Sequence, residues 1–447
     1  MKYVMKIKNL TINNFKCFSE DTQIEFGKIT LLTGANSSGK SSLLYSLFGL
    51  LQSDDSPLLF SPNGRYVNMG DYKEIVHGHD VGLNFTINIK CAESNLKLIT
   101  TKWTIDKNNN QPKLCDLYVE NDDYLLRATL NEKGKYHISL KYDQKDVEKR
   151  KLIQTVYNLM FQAIIEDVQD NYKESFDEFK SSHVEAEFEV DNLHKLSAFA
   201  SQKGKTKLSQ LIQLLISDFD NYKTSINYIS SFRLQPERTN VELNNNKLRI
   251  DVNGNGYLDQ ILFWYTHNKE LFKSLKRTLR RIGLLYDIKA KRLTGGRYEI
   301  DVKTSSNGVF ASLCDVGFGI PQVLPIIIAD MQLGIKSTLF ISQPEIHLHP
   351  SIQALLGDYF VEQCNTLEKN YVIETHSEYL LNRIRLHVVQ GKISPDDIKI
   401  FYIATVDNKP KLYKLEFARD GQILNAPSDF FETYMMDVMN IAIESTK

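Results

Sequence analysis

Gly34-Ala35-Asn36-Ser37-Ser38-Gly39-Lys40-Ser41 satisfies G-x-x-x-x-G-K-[ST] at every fixed position. Its flanks agree with it. Lys28-Ile29-Thr30-Leu31-Leu32-Thr33 reads as a short buried strand, and Ser41 to Gln52 carries Leu43, Leu44, Leu47, Leu50 and Leu51 at helical spacing. Strand, glycine-rich loop and helix in that order make a cradle for phosphate. The glycines let the backbone wrap close to anionic oxygens, and the amides at the helix start point at the charge. Gly34, Asn36, Ser37, Ser38, Gly39 and Ser42 belong to the cradle; Lys40 brings a compact positive charge to the β- and γ-phosphates, and the Ser41 hydroxyl is the expected ligand of Mg²⁺.

The rest of the 447 residues sets limits on what surrounds this loop. With 42% hydrophobic and 24% charged residues the composition is that of an ordinary globular protein, long enough for two or three domains or one composite unit. Lys and Arg number 54 against 55 Asp and Glu, so the chain as a whole is not built to coat a polyanion. Five widely spaced cysteines without a C-x-x-C pair argue against a disulfide framework or a structural zinc and suit a reducing cytosol. Met1 to Lys6 lacks an apolar leader, and the most apolar run, Val323 to Leu333, is far short of the ~20 residues a bilayer span needs. The expectation is a cytoplasmic protein with no membrane partner.

Three regions differ in texture. Residues 1–145 form an expected N-terminal lobe holding the phosphate loop and an antiparallel β subdomain, with strand-like runs at 83–89, 98–105 and 136–142 parted by the hairpin loops 107–110 and 132–135. Residues 146–225 are rich in Lys, Glu, Asp and Gln with apolar residues every three or four positions, which predicts a helical insertion without the sustained heptads of a long coiled coil. From 226 to 447 strands and helices alternate, as in the second lobe of an α/β protein.

Three segments of that second lobe carry polar residues at the ends of apolar runs. Thr338-Leu339-Phe340-Ile341-Ser342-Gln343-Pro344-Glu345-Ile346-His347-Leu348-His349-Pro350 is a strand ending where a metal-orienting acid and a base would stand. Tyr371-Val372-Ile373-Glu374-Thr375-His376-Ser377 is another, ending in a histidine, and Asp315-Val316-Gly317-Phe318-Gly319 is a turn able to present amides before an apolar helix. His347 and His349 could be a metal pair, but no third ligand is near in sequence, and framing Pro350 is the simpler reading. Phe15, Lys16 and Phe18 fit either an adenine-facing role or the core, and Gln52 resembles the loop glutamine that couples the metal to subdomain rotation in ABC-type ATPases.

The order and wording of these segments resemble the ABC-type ATPase heads of the RecF/SMC/OLD group. Closer still are small bacterial AAA-type ATPases whose Walker B reads hydrophobic-E-Q-P-E-x-H-L-H-P, followed by E-T-H-S-E. Asn14-Phe15-Lys16-Cys17-Phe18, the 66–78 segment, Tyr228 to Arg233 and the cap-like Phe430-Phe431-Glu432 extend the likeness, while 146–225 has no match. The resemblance implies an α/β P-loop NTPase of ABC-ATPase head type that binds ATP and Mg²⁺ between two copies of itself, head to tail, in a dimer or larger assembly. It also implies that Gly317 and Gly319 offer amides to a partner's γ-phosphate and that His376 is the switch histidine. Two positions depart from the pattern: Ser342 stands where an acid holds the Mg²⁺ water, and Gln343 stands at the base, where it can position water but not accept its proton. Glu345 and Glu374 are the nearby carboxylates left to share catalysis with Gln343 and His376.

The expected function is a weak or partner-dependent ATPase that acts as a nucleotide-controlled switch for a separate nuclease or toxin, of the kind found in bacterial anti-phage defence (Septu-like, retron- and OLD-related systems). The alternative is a RecF-like DNA-repair or DNA-binding ATPase; the basic stripe Lys273, Lys276, Arg277, Arg280 and Arg281 reads most simply as a solvated helix face, with nucleic-acid contact as its other reading. A scaffold that binds ATP without turnover is the third class.

Overall fold

The computed structural model describes residues 6–92, 96–121, 124–143, 183–190, 206–242, 249–427 and 430. The N-terminal half runs β1 (Lys6–Asn13), β2 (Thr22–Glu25), β3 (Ile29–Gly34), α1 (Lys40–Leu51), α2 (Tyr72–Ile75), β4 (Phe85–Ala92), β5 (Leu98–Asp106), β6 (Gln111–Glu120), β7 (Tyr124–Leu130), β8 (Tyr136–Asp143), β9 (His183–Val190) and α3 (Thr206–Ser225). The C-terminal half runs β10 (Ile226–Ile229), β11 (Asn240–Val241), α4 (Tyr257–His267), α5 (Lys269–Arg281), β12 (Asp287–Arg292), β13 (Arg297–Lys303), β14 (Ala311–Ser312) and α6 (Gly319–Gln332). It closes with β15 (Thr338–Ser342), α7 (Pro350–Leu367), β16 (Asn370–Glu374), α8 (Glu378–Val389), β17 (Ile398–Val406), β18 (Lys409–Phe417) and β19 (Ile423–Leu424).

The central sheet has the order β10-β15-β16-β3-β17-β18-β19 and is parallel from β10 through β17. Both faces of its middle strands are covered, which is why β3 and β16 are buried at every residue and read as continuous apolar runs rather than alternating ones. An eight-stranded antiparallel sheet, β2-β1-β4-β5-β6-β7-β8-β9, forms the second layer. A small sheet of β11, β13, β12 and β14 flanks the other side.

Helix α1 lies in the core shared by the two large sheets, and its apolar residues face both ways. Phe48 stacks on Tyr228 of β10 at 4.5 Å and meets Phe340 of β15 edge-on at 5.2 Å. The opposite face of the parallel sheet is packed by α4, α6, α7 and α8. There Asp330 of α6, fully buried, pairs with Lys369 at 3.0 Å and accepts from the Tyr371 hydroxyl at 2.9 Å, pinning α6 to the start of β16.

One expectation needs correction. Within 146–225, α3 is helical, but His183–Val190 is a strand that pairs antiparallel with β8 and lengthens the second layer. Its letters, His-Val-Glu-Ala-Glu-Phe-Glu-Val, alternate with period two, a signal hidden by the charge-rich composition around it. Nor is α3 an excursion from the fold: Leu215, Phe219 and Tyr222 are buried in the core of the first lobe. Residues 146–182 and 191–205 lie outside the described residues, as do 431–447, where the cap was expected; Phe430 packs edge-on against Tyr402 at 5.2 Å. Among the described residues the longest helix has 20 residues, and no helix is long and apolar enough to cross a membrane.

Candidate nucleotide and metal site

The loop leaves β3 at Gly34, whose φ is +135°. A Cβ there would stand 2.1 Å from the Ile403 carbonyl oxygen of β17, so the neighbouring strand itself demands glycine. Gly39, at φ +103°, is the N-cap of α1, and a Cβ there would lie 2.6 Å from Cys17 Sγ. Between them Ser37 adopts φ 60°, which turns the loop back toward the helix start.

Lys40 is buried and donates to the carbonyl oxygens of Gly34 at 3.0 Å and Ala35 at 2.6 Å. Burial holds its ammonium below the ordinary lysine value, against the pull of the Glu374 and Glu345 carboxylates. Ser38 is 2% exposed, and its hydroxyl has no hydrogen-bond partner among the described residues. An orphaned buried hydroxyl costs about 1–3 kcal/mol, and a phosphate oxygen seated in the loop would satisfy it. The loop opens on a cavity of 490 Å³ bounded by Ser37 to Ser42 and Glu374 on one wall. The other wall is Lys16, Cys17 and the 74–79 strip, zipped together by Lys16 N to Ile75 O at 2.6 Å and His77 N to Asn14 O at 3.0 Å. Phe15 and Phe18 are core residues, so of that trio only Lys16 reaches the cavity.

Across the sheet, register brings the second half-site to the loop. Ser342 of β15 is paired with Glu374 of β16, and Glu374 is paired with Leu32 of β3. The Ser41 hydroxyl lies 3.0 Å from each oxygen of Glu374, and the Ser342 hydroxyl donates to Glu374 Oε2 at 3.1 Å. The Tyr228 hydroxyl stands 3.2 Å from Ser342 Oγ behind them. A hydroxyl and a carboxylate facing each other are the hard oxygen donors that Mg²⁺ prefers, so the residues present fit the ion of a Mg-nucleotide.

Gln343 follows in a left-handed conformation, φ 48°, with its amide donating to Glu374 O at 2.6 Å. Glu345 is held from both sides: Thr375 Oγ1 donates to one oxygen at 2.8 Å and the His376 amide to the other at 2.7 Å. Burial raises its carboxyl above the usual glutamate value, partly offset by those donors and by Arg233. His376 is exposed; partial burial, then the charge of Lys40, holds its imidazole below the ordinary histidine value.

The glycine turn sits elsewhere on the chain. Gly319 opens α6 against the His347 carbonyl, where a Cβ would come within 2.6 Å, while a Cβ on Gly317 would meet nothing within 4 Å. Neither lines the phosphate cavity of its own chain, nor do Gly34, Asn36, Gln343, Glu345 and His376. A residue to which the sequence assigned no role links this turn to β15. Arg233, 4% exposed, donates to the carbonyls of Gln322, Ser342 and Gln343, and the Gln322 side chain donates back to Arg233 O at 3.3 Å. Its sequence signal was its place at the end of the Tyr228 to Arg233 segment, a cation just beyond an apolar strand.

Other candidates have partners within the chain. Gln52 accepts from the Tyr66 and Val67 amides and donates to Ser61 and Val67 carbonyls, so its whole amide is engaged in shaping the 61–67 loop. His349 caps α7 by accepting from Ser351 N. In the basic stripe Lys273, Lys276 and Arg281 are paired with Glu270, Asp287 and Glu362, and Arg280 lies over Tyr286 at 4.3 Å.

Comparison with known proteins adds a family. Residues 5–381 match the family described as AAA ATPase domain. No curated protein matches the chain. Among solved structures it is similar to the SMC head domain from Thermotoga maritima, at 10% identity and a TM-score of 0.38 over 92% of this chain and 98% of that one. It is likewise similar to the Smc head domain with an extended coiled coil bound to the C-terminal domain of ScpA from Pyrococcus furiosus, at 11% identity and a TM-score of 0.40 over 99% and 100% of the two chains. The Smc head domain with a coiled coil and joint from Pyrococcus yayanosii gives 10% identity and 0.41 over 99% and 100%.

Proposed function

We propose, from the premise that this chain belongs to the AAA ATPase domain family, that its ATPase is a slow nucleotide-controlled switch for a separate effector. ATP binding is the family's property; slow turnover is the reading that the end of β15 supports. Ser342 and Gln343 put no carboxylate there, and both oxygens of Glu345 already accept hydrogen bonds. Gln343 can hold a water but cannot take its proton, so general-base catalysis is weak.

The chain's own residues then divide the work. Lys40 exchanges its loop carbonyls for phosphate oxygens, the loop amides and Ser38 bind the phosphates, and Gln343 orients the attacking water. His376, held neutral near pH 7, donates or accepts one hydrogen bond at the γ-phosphate without adding a second cation beside Lys40. Mg²⁺, when bound, neutralises charge on the β- and γ-oxygens.

Gly317 and Gly319 lie away from their own cavity, with open space beside Gly317 and Phe318 59% exposed. That placement suits amides donated to the nucleotide of a second copy, head to tail, in a dimer or larger assembly. A closed assembly that persists because hydrolysis is slow is a timer, which favours control of a nuclease or toxin, in anti-phage defence, over a motor. The RecF-like alternative needs a nucleic-acid face, and the basic stripe is a weaker candidate for one because Lys273, Lys276 and Arg281 are paired within the chain.

Native mass measured with and without ATP, beside phosphate release, tests the reading. The expected result is ATP-dependent assembly with slow release, and neither in Lys40→Ala. A chain of unchanged mass in ATP, or one that turns over briskly alone, would sink it.

A further inference from the structure

Resting on that ATP-binding reading, we propose that the carboxylate that holds Mg²⁺ beside Ser41 is Glu374 on β16, one strand nearer the phosphate loop than the Ser342 position. Neighbouring strands lie about 4.8 Å apart. In this sheet β15 is two strands from β3 and β16 is one, so a side chain ending β15 must reach across β16 to meet the first turn of α1. Ser342 is too short and carries no charge. Glu374, its register partner, stands between Ser342 and Leu32, and both of its oxygens lie 3.0 Å from Ser41 Oγ.

The surroundings keep that carboxylate in place. Ser342 donates to Oε2, Tyr228 backs Ser342 at 3.2 Å, and the Gln343 amide fixes the Glu374 carbonyl at 2.6 Å. Serine at 342 thus becomes a donor that orients the relocated acid, where a second carboxylate would repel it. Glu345 does not compete for the role: its oxygens face Thr375 and the His376 amide, and it does not line the cavity that Glu374 and Ser41 share.

The experiment is calorimetric titration of the full chain with ATP, in Mg²⁺ and in EDTA, with thermal melts to verify folding. Wild type should bind ATP at least about tenfold more tightly with Mg²⁺. In Glu374→Gln, whose amide oxygen still accepts from both serines, that ratio should fall to within about twofold while binding in EDTA is retained or improved. The exchange variant Ser342→Asp with Glu374→Gln should recover only part of the ratio, because an acid at 342 starts one strand farther from Ser41. Glu374→Asp, which shortens the reach, gives an intermediate ratio and serves if Glu374→Gln does not fold. A wild-type ratio in Glu374→Gln or Glu374→Asp, or loss of the ratio in Glu345→Gln instead, overturns the assignment and leaves ATP binding standing. Absence of ATP binding by the wild type in both media overturns the ATPase reading itself.

Discussion

Arg233 and Gln343 are joined by a hydrogen bond from Nη2 to the Gln343 carbonyl at 2.9 Å, and the same nitrogen reaches the Ser342 carbonyl at 2.5 Å. Through Nη1 and the Gln322 carbonyl the guanidinium also grips the first turns of α6. The glycine turn and the end of β15 are therefore tied together through one side chain. Burial lowers the guanidinium to about 10, still charged at neutral pH.

Arg233→Met should take this donor from two buried carbonyls and one partly buried carbonyl and cost about 2–4 kcal/mol of stability, read by chemical denaturation. Arg233→Lys should recover only part, since one ammonium cannot span both elements in a fixed fork. Destabilisation under 0.5 kcal/mol in the methionine variant would mean that the brace is incidental.

Gln343→Glu supplies a proton acceptor where the chain has none. Phosphate release should rise by about 10²-fold, measured with ATP and Mg²⁺ on the isolated chain. An unchanged rate would place the limit on turnover elsewhere, in assembly or product release.

His376 titrates below its ordinary value near 6.5 because burial and then Lys40 disfavour the charged ring. The unfolded chain therefore takes up this proton first, and the group's contribution to stability is present above about 6.5 and is lost as pH falls toward the lower folded value. Ring-proton NMR should show the depressed midpoint, and Lys40→Ala should raise it. A midpoint unmoved by Lys40→Ala would separate the two side chains.

Gly49→Ala should destabilise the fold by about 1–3 kcal/mol in thermal denaturation. The new methyl would come 2.1 Å from Phe60 Cζ, and that ring cannot swing away because Phe15, Phe85 and Trp103 pack around it. Combining it with Phe60→Leu should restore part of the loss.

What could be read from the letters follows from how far each signal travels along the chain. The phosphate loop, β3 and α1 are contiguous, and local spacing is enough to define them. Glu374 was visible as a nearby carboxylate, yet its contact with Ser41 spans 333 positions and depends on which strands adjoin, a matter of sheet order rather than spacing. Strand β9 was hidden because charge-rich text with scattered apolar residues suits either period. Phe15 and Lys16 are adjacent letters with opposite fates, one core and one cavity wall, because Lys16 sits at φ 52° and the chain turns there.

The pairing of Ser342 with Glu374, and of Glu374 with Leu32, has a consequence for how such chains are judged. Side chains at matched rungs of adjoining parallel strands point the same way, so a charge lost from one rung and kept on the next changes the address of the chemistry without disturbing the backbone. A gap in a one-dimensional motif is then poor grounds for declaring an enzyme dead; the ladder beside the gap has to be inspected first.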